Sequence, residues 1–190
     1  MKNHIPFQWL NNEQQKGFLT LSAVTTIILF VVLHVINIPL QTAAAPNGII
    51  SLELAGTLEK SQAMLHSWDA QAAVYAGFSL GIDFVFLLAY SLFLGFACYR
   101  IARDFKSRFN WLYQIGLVIA YLQLVAGLLD AIENIALFRL LLGSGNPALS
   151  SVAFYCAGTK FLFVFAGIGY IFAGGIILLV LARRKTQTDY

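Results

Sequence analysis

The sequence predicts an all-α fold: a polytopic transmembrane four-helix bundle, built as a single membrane domain over residues 1–190. Three observations predict it. The chain is 59% apolar and only 11% charged, whereas a soluble domain is nearer half apolar and a quarter charged. Four stretches reach the roughly 20 mainly apolar residues that a helix needs to cross hydrocarbon. Most of the Lys and Arg residues gather at the ends of those stretches.

The spans are expected at 17–39, 70–101, 111–142 and 148–182. The last three are longer than one bilayer demands and must tilt or project beyond it. Start and stop signals agree with these limits. Asp69 is placed to cap the second span and Asn110 the third. In "GSGNPALSS" Asn146 is placed as N-cap of the fourth, with Pro147 at its first helical position. Lys2, Lys16 and the downstream "QTAAAP" give the first span a faint look of a signal peptide. Its apolar core is longer than an ordinary signal core, so it is expected to be a retained span.

Orientation follows from charge. Nine of the twelve basic residues fall on one side: Lys2, Lys16, Arg100, Arg103, Lys106, Arg108, Arg183, Arg184 and Lys185. The positive-inside rule then puts both termini in the cytoplasm. This distribution reads as topology, and no nucleic-acid partner is expected. A plasma (inner) membrane, multi-pass location is the natural expectation. The outer loop at 48–68 has helix-forming residues and a broken apolar stripe at Leu54, Leu58, Leu65 and Trp68. It is expected to form an amphipathic interfacial helix.

The third span carries the unusual chemistry. Within "GLLDAIENIALF", Asp130, Glu133 and Asn134 crowd into five positions of an apolar helix. Ionisable groups inside a span are expensive and usually tied to function. Gln123, Gly127, Asp130 and Asn134 recur at helical spacing on one broad face. That face must point into the bundle, because lipid offers no hydrogen bonds. Partners stand at matching depth. Asp83 lies about 20 Å along the second span and Lys160 about 20 Å along the fourth, at 1.5 Å per residue. Asp130 and Glu133 lie about 18 and 14 Å from the end of the third. One buried cluster of Asp83, Asp130, Glu133, Asn134 and Lys160 is therefore expected in the outer half of the bilayer. Tyr90 and Gln123 lie below it on the cytoplasmic side. Glu53, between apolar neighbours in "SLELAG", is the loop acid that either buries against the bundle or stays in water.

Three carboxylates against one lysine leave an excess of negative charge that a low-dielectric site rarely tolerates. A proton, a cation or a cationic ligand would balance it. Asp130, Glu133 and Asp83 are thus candidate acid–base or ligand-binding groups. Asn134, Lys160, Tyr90, Gln123 and Glu53 are candidate binding groups. Nucleotide, hydrolase-elbow and zinc-helix motifs are absent, so no cofactor and no metal are expected. Cys98 and Cys156 fall at opposite ends of their spans and read as buried packing residues. His34 reads as a hydrogen-bonded packing residue. Ala73, Gly77 and Gly81 form a small-residue face that another helix could approach, in this chain or in a second copy.

Three functions follow as expectations. The first is a site that binds, or chemically modifies, a membrane lipid or other small amphiphile. The second is a structural or assembly subunit whose polar cluster locks the helices. The third is a path for protons or cations.

Overall fold

The computed structural model describes residues 11–188; Lys2, used above for orientation, lies outside them. It is all-helical, with no strand among the described residues. The helices are α1 (Asn12–Asn37), α2 (Ile49–Glu53), α3 (Leu58–His66), α4 (Ala70–Phe105), α5 (Asn110–Leu141) and α6 (Pro147–Thr188). Four of them, α1, α4, α5 and α6, are long and apolar enough to cross a membrane.

Local signals explain most boundaries. Asn11 and Gln14 close a reciprocal capping box at 2.8 and 2.9 Å. This satisfies the first free N–H groups and starts α1 five residues before the expected span. Asp69 accepts from the Ala72 amide at 2.7 Å, and Asn146 from the Ala148 amide at 3.0 Å. Asn110 does not cap α5. It is the first helical residue, and Phe109 holds the cap position without a side-chain bond.

α5 packs along both α4 and α6, while α1 packs along α4. Small residues bring α4 and α5 together, as is usual between membrane helices. A Cβ on Gly95 would stand 3.1 Å from the Ala120 carbonyl, and one on Gly127 would press on Ser91. Gly77 faces Leu141 of α5, so the expected small-residue face is partly used within the chain, whereas Gly81 meets nothing within 4 Å. At the end of the bundle where α1 begins, an aromatic core of Phe96, Tyr99, Phe105, Tyr113 and Tyr170 ties α4, α5 and α6. Phe18 anchors α1 there, edge-on to Phe96 at 5.3 Å.

The other end is capped. In place of one continuous helix across 48–68, there are two short ones. Gly56 sits at φ 72°, a left-handed conformation natural to glycine, and ends the first turn. Thr57 then caps α3 through the Lys60 amide. The segment is seated on the bundle: Leu52, Ala55, Ser61 and Trp68 are buried. Ser61 and Ser150 hydroxyls meet at 2.8 Å, and the Trp68 indole donates to the Leu40 carbonyl at 2.8 Å. Asn37, the last residue of α1, receives the Ile49 amide at 2.8 Å and donates to the Asn47 carbonyl at 3.1 Å. Gly48, at φ 61°, lies so close that any Cβ would strike the Asn37 carboxamide.

Asn37→Ala should therefore loosen the cap before the bundle. The expected cost is about 1 kcal/mol for the lost bonds. Amide hydrogen exchange should quicken across 48–54, with α4 to α6 unchanged.

Candidate functional site

Lys160, on α6, is buried in the apolar bundle, and its ammonium group is caged by carboxylates. Nζ donates to Asp130 Oδ1 at 2.6 Å and to Glu133 Oε1 at 3.0 Å. It is also 3.0 Å from Glu133 Oε2 and 3.6 Å from Glu53 Oε2. The Phe161 ring lies under it, 5.1 Å away. Asp130 and Glu133 can share one cation because three helical positions put them on adjacent turns of the same face.

The remaining oxygen of Asp130 is taken by Tyr90. The phenol on α4 donates to Oδ2 at 2.9 Å. A turn or two away, Asn134 Nδ2 donates to Asp83 Oδ2 at 2.5 Å, joining α5 to α4. Among the described residues Asp83 has no ion pair; Lys160 is committed to the other three acids. The structure thus brings together Asp83, Asp130, Glu133, Asn134, Lys160 and Tyr90.

Glu53 joins them from outside the spans. It is the last residue of α2 and is buried. Of its two sequence-level fates, burial against the bundle is the one observed. Burial raises its carboxyl above the usual carboxylate range; Lys160 opposes this, and the Asp130 charge adds to the rise. Its Oε2 is enclosed and has no hydrogen-bond partner.

Gln123 does not reach the cluster. Its carboxamide nitrogen donates to the carbonyls of Phe163 at 2.8 Å and Ile119 at 3.3 Å. A Cβ on Gly167 would collide with that side chain. Gln123 thereby ties α5 to α6. Spacing along α5 places it on the right face, but two to three turns from Asp130 and Glu133, too far to join them.

The cluster opens onto a cleft of about 730 Å³. α1, α4 and α6 supply most of its lining; Asp83, Asp130, Asn134, Lys160 and Glu53 supply ionisable and amide groups. It runs past Phe86, Tyr90, Phe93, Phe161, Phe165 and Phe172. Lys160 to Phe172 is twelve helical steps, or about 18 Å. His34 lines the same cleft from α1. These phenylalanines carry no signal in the sequence, where they are indistinguishable from lipid-facing residues. Among the described residues, no group of three or more His, Cys, Asp or Glu could hold a metal ion. Both cysteines are free.

Lys160→Met should destabilise the protein by about 3–5 kcal/mol, because it strands buried carboxylates. Adding Asp130→Asn and Glu133→Gln should restore much of that loss, as read by equilibrium unfolding in detergent. Equal stability of wild type and Lys160→Met would contradict the caged-cation account. Comparison of the chain with protein-family models, curated proteins and solved structures finds no match.

Proposed function

We propose that this membrane protein binds a lipid or other amphiphile in the cleft between α1 and α6. The polar head would rest on the acidic cluster and the tail on the phenylalanine walls. In this reading the capped end lies outside, both termini are cytoplasmic, and the membrane is the plasma (inner) membrane. The α2–α3 cap sits at the outer interface and the cluster in the outer half of the bilayer.

The observation that carries the reading is the continuity of the cleft. One cavity joins ionisable groups to a long apolar wall, which is the usual make-up of a small-molecule site. Phe30, Phe165 and Phe172 line the cleft and are exposed, so the cleft is open for a ligand to enter sideways from the lipid. Asp130, Glu133 and Asp83 are also the groups that could do acid–base work on a bound head.

The helix-locking alternative is supported by one specific observation: Lys160 links α6 to both α5 and the cap. It explains the caged lysine and the Asn134–Asp83 bond between α5 and α4 but gives no reason for the cleft. A transmembrane proton path has less support. Beyond the cluster the core becomes Leu87, Leu94, Ala126, Phe163 and Val164, and the Gln123 amide nitrogen donates to backbone.

Native mass spectrometry of gently solubilised protein tests the proposal. The wild type should carry a defined adduct that Asp130→Asn loses while staying folded. A clean mass for both proteins would favour the helix-locking alternative.

A further inference from the structure

The acidic end of the cleft holds more acceptors than the lysine uses. Lys160 engages Asp130 and Glu133 at hydrogen-bond distance, and Tyr90 takes the other oxygen of Asp130. Asp83 faces the cleft with Asn134 as its hydrogen-bond donor and no cation beside it among the described residues. Glu53 also lines the cleft and is more than nine-tenths buried; its Oε2 stands 3.6 Å from the Lys160 ammonium, beyond hydrogen-bond distance, and accepts no hydrogen bond. Four carboxyl groups and one ammonium leave a net charge of −3 if all are ionised. A hydrocarbon-embedded site tolerates such an excess only when protons or cations offset it. No donor side chain in the described cluster is left to supply that balance.

We propose that the head group taken by this cleft is a protonated amine, held by Asp83 on the α4 side and Glu53 on the cap side. The proposal rests on the amphiphile-binding reading and specifies its ligand: a long-chain amine whose N–H groups donate to both carboxyls. An anionic head would meet three or four like charges. A neutral alcohol would leave the charge excess where it was. A bare metal ion would gain nothing from the phenylalanine walls, whereas an alkyl chain is the natural companion of that surface. The cap contributes one of the two acceptors, so the site is complete only with α2 in place.

The test uses the full-length protein in nanodiscs of zwitterionic lipid at neutral pH. Dodecylamine, dodecanol and dodecyl sulfate share one chain and differ in head charge. Each is titrated against the wild type, Asp83→Asn, and Leu33→Trp, which narrows the cleft from α1. Thermal unfolding is the readout. Dodecylamine should raise the Tm of the wild type at concentrations where dodecanol and dodecyl sulfate do not. Asp83→Asn should weaken the dodecylamine effect at least tenfold, and Leu33→Trp should abolish it. Equal shifts from the amine and the alcohol, both lost in Leu33→Trp, would overturn the amine head while leaving amphiphile binding intact. Preference for the sulfate would do the same. No shift from any of the three would overturn both readings. If Asp83→Asn fails to fold, the wild-type comparison of amine with alcohol still decides between them.

Discussion

An ammonium group buried among apolar helices must be compensated, and much of this structure is arranged around that requirement. Lys160 sits in α6 where hydrocarbon would surround it. Asp130 and Glu133 meet it from α5, and Glu53 meets it from the cap. Single hydrogen bonds between membrane helices are worth little, averaging about 0.6 kcal/mol. A buried charge that loses its partner costs several times more. The lysine cage therefore sets the register of α6 against α5 far more firmly than the serine, glutamine or tyrosine contacts around it.

The same requirement gives the first loop its role. A loop glutamate would ordinarily stay in water. Here Asn37 fastens the start of α2 to the end of α1. The left-handed Gly56 and the Thr57 cap then turn the chain into α3. Ser61 and Trp68 seat the segment on the bundle. With both of its ends anchored, α2 presents Glu53 to the lysine. The cap is thus a wall of the polar site.

The cleft comes from how α1 is held. Phe18 pins it to α4 at one end, and Asn37 pins it to the cap at the other. Between those points it runs along α4 and leaves a gap toward α6, into which the phenylalanines of α4 and α6 project. Acid end and apolar wall belong to one cavity because α4 lines both.

Much of this was legible without coordinates. Apolar runs long enough to span a bilayer, separated by charged or turn-forming residues, determine four long helices. Helical spacing puts Asp130, Glu133 and Asn134 on one face, and counting residues from the span ends brings Asp83 and Lys160 to the same level. These are one-dimensional properties, since rise and periodicity are constants of the helix. What the tertiary structure alone decided concerns angles and partners between helices. It broke the 48–68 segment at Gly56, buried Glu53, turned the Gln123 amide nitrogen toward backbone carbonyls and opened a cleft between α1 and α6. None of these follows from periodicity. Each depends on which helix stands opposite, and membrane helices choose their neighbours by small-residue fit and buried charge pairing, with no hydrophobic pattern to record the choice.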